Sequence, residues 1–154
     1  SSGTTGLPKG VILTHYNLAA NVYQLSNREL ISPADTIIAV LPFFHSYGLQ
    51  IFLNYSLYCG ATIVVMPQFD LETFLRLVQK YKITRAPLVP PIVLALAKQP
   101  IVDKYDLSSL KIITSGAAPL GNELTLECEQ RLNCVVKQGY GLTETSPVTH
   151  INPD

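Results

Sequence analysis

The first ten residues, SSGTTGLPKG, set four hydroxyls, three glycines and one lysine side by side. Such a loop suits a polyphosphate. Glycines let backbone N–H groups converge on phosphate oxygens, hydroxyls add donors, and the Lys9 ammonium supplies a point charge. A Ser/Gly linker has similar composition, but Leu7-Pro8 and the apolar Val11-Ile12-Leu13, read as strand-like, do not belong in one. The P-loop of nucleotide triphosphatases is a sharper rival. It needs Gly before the lysine, Ser or Thr after it, and a helix starting there. Here Pro8 precedes Lys9, Gly10 follows, and the next residues read as a strand, so the P-loop reading fails.

Three further places could carry chemistry. Residues 36–66 contain no Asp, Glu, Lys or Arg, and within them lies LPFFHSYGL, with His45 among aromatic neighbours. A lone histidine there is either a hydrogen-bonded core residue or a group able to orient a carboxylate and stabilise developing charge. The run TSGAAPL at 114–120 follows an apolar segment and precedes a helical one. Its small residues would let a flat ligand approach the backbone, although an ordinary strand–helix turn has the same composition. Last, QGYGLTET at 138–145 sets Tyr140 between two glycines. That would expose the ring for stacking, with Thr143 free to bond a phosphate and Glu144 a hard oxygen ligand for Mg²⁺.

These segments need a frame. Thr14 can cap a helix over 15–28, and Ser32-Pro33 breaks it. Residues 36–41, 61–66, 84–89, 111–114 and 135–137 read as strands. Residues 43–58, 70–82, 90–98 and 121–132 read as helices. The helix over 70–82 is the clearest, with Leu71, Phe74, Leu75 and Val78 at helical spacing, acids early and cations late. Strands alternate with helices across short loops, which predicts an α/β fold with a mostly parallel sheet covered by helices.

The string over 1–10 resembles the phosphate-binding signature of the adenylate-forming superfamily, which includes acyl-CoA synthetases, peptide-synthetase adenylation domains and beetle luciferases. PFFHSYG is similar to the aromatic–histidine segment of 4-coumarate–CoA ligases. SGAAPL resembles the segment walling the adenine and acyl pockets, and YGLTE is the superfamily's second diagnostic string. The motifs stand in family order over the whole chain. The resemblance implies that residues 1–154 are part of an adenylation domain, a fragment lacking its N-terminal portion and its C-terminal domain. It also implies ATP-dependent conversion of a carboxylic acid to an acyl-adenylate, then thioester formation with CoA.

By position, Ser1, Ser2, Gly3, Thr4, Thr5, Gly6 and Lys9 would hold the ATP phosphates. Gly116, Ala117, Ala118, Pro119, Gln138, Gly139, Tyr140, Gly141 and Thr143 would form the adenine and acyl-adenylate site. Ser46, Tyr47, Pro147 and Val148 would line the acyl pocket. His45, Thr143 and Glu144 would be catalytic, with Glu144 holding Mg²⁺. The superfamily's ribose-binding aspartate and C-terminal lysine would lie beyond Asp154. Gln68 and Ser46 depart from residues common in plant members, which leaves the acid unspecified.

Composition narrows the partners. Lys plus Arg equals Asp plus Glu at 11 each, so no basic field draws the chain to nucleic acid. Only 14% of residues are charged while 47% are hydrophobic, which suggests a surface partly covered by the rest of the same polypeptide. Three cysteines without metal spacing fit reduced thiols in the cytoplasm, with a peroxisomal address open if the source is eukaryotic. The longest apolar run, 86–97, is too short and proline-broken to span a bilayer. Other readings stay open. They are a luciferase-type oxygenase, a peptide-synthetase domain (disfavoured because 36–66 lacks an aspartate) and a non-catalytic nucleotide-binding module.

Overall fold

In the computed structural model, which describes Ser1 and residues 6–153, a six-stranded sheet forms the middle layer. Its strands are β1 (Thr36–Ala39), β2 (Thr62–Val65), β3 (Arg85–Leu88), β4 (Ile112–Ser115), β5 (Val135–Gly141) and β6 (Val148–Ile151). They run in the order β2-β1-β3-β4-β5-β6, parallel except for β6, which turns back antiparallel on β5. The five strands expected between residues 36 and 137 are present and the sheet is mostly parallel. The sixth strand was not anticipated, because Val148-Thr149-His150-Ile151 is too short and mixed to signal one.

Alternation of side chains about β1 decides the layers. Ile38 joins one core with Phe74, Leu75 and Val78 of α3 (Leu71–Tyr81), Ile92 and Leu96 of α4 (Pro90–Lys98), and Cys128 of α5 (Asn122–Leu132). Ile37 and Ala39 face the opposite way. They pack with Val22 and Leu25 of α1 (His15–Ser26) and with Phe52 and Tyr55 of the helix that follows β1. Helices therefore cover both faces, as a sheet of buried parallel strands requires.

Local chemistry sets the boundaries. Thr14 and Asn17 close a capping box on α1, and the Asp70 carboxylate accepts from the Thr73 N–H at 2.8 Å to start α3. The expected helix over 43–58 takes an unforeseen form. A short α turn, Ser46–Gly48 (α2), runs directly into a π-helical stretch, Leu49–Ser56. The Ser56 hydroxyl donates to the carbonyl of Ile51, five residues back, at 2.6 Å, and the Gln50 amide ties the stretch to Leu18 at 2.8 Å. Such widening is a local hydrogen-bonding choice that no hydrophobic period reveals. Residues 11–13 also differ from expectation: they pair with no strand, and Ile12 stands exposed. Among the described residues no helix is long and apolar enough to cross a membrane.

Candidate active site

At the C-terminal ends of β3, β4 and β5 the loops part around a cavity of about 190 Å³, the crevice in which parallel α/β sheets bind ligands. It exceeds the roughly 150 Å³ that admits benzene. His45, Ser46 and Tyr47 line it from the start of α2, Gly116 and Ala117 from beyond β4, and Gly139, Tyr140 and Gly141 from the end of β5. Thr143, Glu144, Pro147 and Val148 complete the wall. Ala118, Pro119 and Gln138 line an adjoining groove, which shares Ala117 and Tyr140 and parts of both strands of the β5–β6 hairpin with the cavity. The fold thus gathers residues a hundred positions apart.

His45 is exposed rather than part of the core. Its Nδ1 accepts the Tyr47 N–H at 3.1 Å and caps α2, so in the neutral ring Nε2 carries the hydrogen. Tyr47 reaches inward, where its hydroxyl donates to the Thr114 carbonyl at 3.0 Å. Burial first, then the nearby Glu29 carboxylate, push its phenol above the ordinary range, so it stays a protonated donor. A Cβ on Gly116 would meet the Tyr47 ring at 2.9 Å. Only glycine lets the turn lie against that ring. Next to it, Ala117 takes a φ of 70°, a left-handed conformation that costs a non-glycine residue about 1 kcal/mol.

The Gln138 side chain is engaged: its amide oxygen accepts from the Leu120 N–H at 3.0 Å and its amide nitrogen donates to the Leu120 carbonyl at 3.2 Å. It braces the 116–120 turn against β5. The Tyr140 ring is 59% exposed and tilted against His150, with centroids 6.2 Å apart, leaving one face open for stacking. After Gly141 the chain makes a 3₁₀ turn, Thr143–Thr145. The Thr145 hydroxyl pins it, accepting from the Leu142 N–H at 3.0 Å and facing the carbonyls of Leu142 and Pro147. A Cβ on Gly141 would fall 2.2 Å from the Pro147 carbonyl oxygen, so the turn closes only on glycine there.

Thr143 Oγ1 lies 3.5 Å from Ser46 Oγ, so two hydroxyls face each other across the cavity. Glu144 is exposed. A hydrogen bond from its own backbone N–H, then the Ser1 hydroxyl and the charge of Lys9, hold its carboxyl below the usual range. The Lys9 N–H donates to the Ser1 carbonyl at 2.9 Å, which brings the two ends of the opening loop together beside Glu144. Gly6 is exposed in that loop. Ser2, Gly3, Thr4 and Thr5 lie outside the described residues.

Three contributors escaped the sequence reading. Glu29, after α1, lines the cavity and accepts from the Thr114 hydroxyl at 3.1 Å, and Lys137 Nζ lies 3.6 Å from the same carboxylate. No motif marks a charged pair split between a loop and a strand. The third is Asn21, whose side chain donates to the Val148 carbonyl at 2.7 Å and accepts from its N–H at 3.3 Å, serving as a strand partner for β6. An asparagine on a helix gives no such signal.

Comparison with known proteins identifies the family. The sequence model of the AMP-binding enzyme family matches residues 1–154. The chain is 51% identical over 153 residues to 4-coumarate–CoA ligase 1 of Petroselinum crispum, covering 96% of the chain and 28% of that protein. It is 50% identical over 157 residues to 4-coumarate–CoA ligase of Pinus taeda, covering 99% and 29%. Among solved structures, ATP-bound MatB from Rhodopseudomonas palustris superimposes with a TM-score of 0.90 at 32% identity, over 99% of this chain and 30% of that one. A red-emitting luciferase from Phrixothrix hirtus gives 0.88 at 41%, over 99% and 38%. The chain spans less than a third of the length of the curated relatives it matches.

Proposed function

The chain belongs to the AMP-binding enzyme family, and from that premise we propose that its protein activates a carboxylic acid with ATP and passes the acyl group to the thiol of CoA. In the first half-reaction a carboxylate oxygen attacks the α-phosphate of ATP. The bond to the bridging oxygen breaks, pyrophosphate leaves, and the acyl-adenylate forms. In the second, the CoA sulfur attacks the acyl carbon and AMP departs. The names of the parsley and pine relatives support CoA as acceptor, and the ATP-bound neighbour supports the nucleotide.

The observation that carries this reading is the meeting of His45, Gly116, Tyr140, Thr143 and Glu144 at one cavity above parallel strand ends. Each has a role there. The opening loop with Lys9 binds the β- and γ-phosphates. Tyr140 stacks on adenine beside Ala117-Ala118-Pro119. His45 presents its Nε2–H where carboxylate meets α-phosphate, Thr143 bonds that phosphate, and Tyr47 and Val148 bound the acyl group. Placing reactants and stabilising charge supplies most of the rate in such displacements.

Mg²⁺ fits Glu144, an exposed and ionised oxygen donor. A cation of this kind is commonly held by one or two carboxylates together with substrate phosphates. When bound, it neutralises charge on the leaving pyrophosphate. The chain is read as part of a larger adenylation domain. Its exposed Leu7, Ile12 and Phe44 suit a surface covered by more protein. Incubating the full-length protein with acid, ATP and CoA tests the assignment: AMP, pyrophosphate and acyl-CoA should appear in equal amounts. Formation of ADP would refute it.

A further inference from the structure

The segment that carries Tyr140, Thr143 and Glu144 overhangs the parallel sheet. Pairing of β5 with β4 ends at Gln138, opposite Ser115. From Gly139 onward the strand partner is β6, with Gly139 against Ile151, Tyr140 against His150 and Gly141 against Val148, and the register slips between Tyr140 and Gly141. A two-stranded ribbon with glycines on both sides of Tyr140 bends easily, and β6 is the outer strand of the sheet. Its tip, the Thr143–Thr145 turn, therefore needs a support that fixes where it stands relative to His45.

Asn21 meets that need. The residue is 2% exposed, and its carboxamide treats Val148 as a neighbouring strand would. The amide nitrogen donates to the Val148 carbonyl at 2.7 Å, and the amide oxygen accepts from the Val148 N–H at 3.3 Å. The same nitrogen also donates to Gln24 Oε1 at 3.2 Å, which fixes the orientation of the amide. Three residues earlier, and so on the same face of α1, the Leu18 carbonyl accepts from the Gln50 amide at 2.8 Å. Gln50 belongs to the π-helical stretch continuous with α2, at whose start His45 and Tyr47 stand. One helix thus grips both walls of the cavity. A buried carboxamide adds little net stability, because its hydrogen bonds replace bonds to water; a leucine there would serve a purely structural purpose as well.

We propose that Asn21 is a positioning residue for the adenylation step, holding Thr143 and Glu144 at the distance from His45 that the transfer needs. The proposal rests on the acid-activating reading above and adds how that site keeps its geometry. Without the clamp the hairpin tip swings away from α2, while the opening loop still holds the phosphates and Tyr140, two residues from the anchored Gln138, stays under adenine. ATP then binds, but carboxylate and α-phosphate meet out of line. A misplacement of about 1 Å costs up to about a hundredfold in rate.

The test uses the full-length protein and acid-dependent ATP–pyrophosphate exchange with a panel of aryl and aliphatic carboxylic acids. Asn21→Leu removes both hydrogen bonds at similar volume. Asn21→Asp keeps the acceptor but sets a carboxylate against the Val148 carbonyl. Each should lower kcat per folded molecule about ten- to a hundredfold, with the KM for ATP hardly changed. Ile38→Val, in the core on the opposite face of the sheet, should lower the melting temperature and leave kcat as it was. Unchanged kcat in either Asn21 variant, or the same loss of kcat in Ile38→Val, would reduce Asn21 to a structural residue and overturn the proposal. In those cases exchange by the unaltered protein persists and acid activation stands. Absence of exchange with every acid would overturn both together.

Discussion

At the scale of single residues, His45 carries the sharpest test because one ring has two separable jobs. Its Nδ1 caps α2 through the Tyr47 N–H, and its Nε2 is the donor proposed to serve the reaction. His45→Asn keeps a side-chain acceptor able to cap but removes the Nε2 donor. Both His45→Ala and His45→Asn should lower acid-dependent exchange about a hundredfold, the range for losing one donor to developing charge. ATP affinity should hardly change in either, and the melting temperature should hold in His45→Asn, which keeps the cap, while His45→Ala loses the cap and melts somewhat lower. Normal exchange in His45→Asn would reduce the histidine to a cap. If Lys9 holds a phosphate as proposed, Lys9→Ala removes a charge-assisted contact worth about 1.5–3 kcal/mol and should weaken ATP use about ten- to a hundredfold. Exchange measured against ATP concentration reads that loss, and unchanged kinetics would take Lys9 out of the phosphate site.

At the scale of elements, two contacts hold the frame. The first is the fit of the Gly116 turn against Tyr47, whose ring is tethered by its hydroxyl to Thr114. Gly116→Ala should therefore displace the ring into the cavity and raise the KM for the acid more than that for ATP. Equal changes in both would show that the turn walls no acyl group. The second is a knot joining β1 to β3. Asp35 accepts from Thr84 Oγ1 at 2.7 Å and from the Ser32 N–H at 3.0 Å, with Arg85 Nε at 3.4 Å. Burial raises the Asp35 pKa, but the Thr84 and Ser32 hydrogen bonds and the Arg85 charge outweigh it and leave it lowered. A lowered folded pKa means that its stabilisation is complete above the unfolded value of about 3.9 and is lost as pH falls through the folded one. Asp35→Asn should cost about 1–2 kcal/mol at pH 7, and the gap in melting temperature should close on acidification toward pH 3. A gap independent of pH would contradict this.

The same elements explain what could be read from sequence. Hydrophobic period and helix-start residues are local properties, so the bounds of α3 and of α4, which opens on Pro90-Pro91, were legible to within a residue. The glycine turns were legible because close approach to a ligand or a ring demands glycine in the chain itself. The π-helical stretch, the β6 strand propped by Asn21, and the Glu29–Lys137 pair depend on partners distant in sequence. Glu29 and Lys137 are 108 positions apart, taking 137 minus 29 from their numbers, and nothing near either one foretells the other.

For the whole molecule, low charge and exposed apolar side chains carry their own consequence. Residues 1–154 expressed alone should associate or precipitate, because Leu7, Ile12 and Phe44 are nearly fully exposed. A monodisperse monomer in sedimentation with a cooperative thermal transition would contradict that. Buried Cys128 and Cys134 have thiols pushed up by burial to about 11 and about 12, so they should resist thiol reagents until the fold opens.

The central claim, that the acid is activated as an adenylate, is tested most directly by following oxygen. The full-length protein would be given ATP, CoA and an acid labelled with ¹⁸O in both carboxylate positions, and the AMP analysed by mass spectrometry. Attack of the carboxylate on the α-phosphate followed by thiolysis leaves one labelled oxygen on each AMP. AMP without the label, or label in free phosphate alongside ADP, would contradict the account.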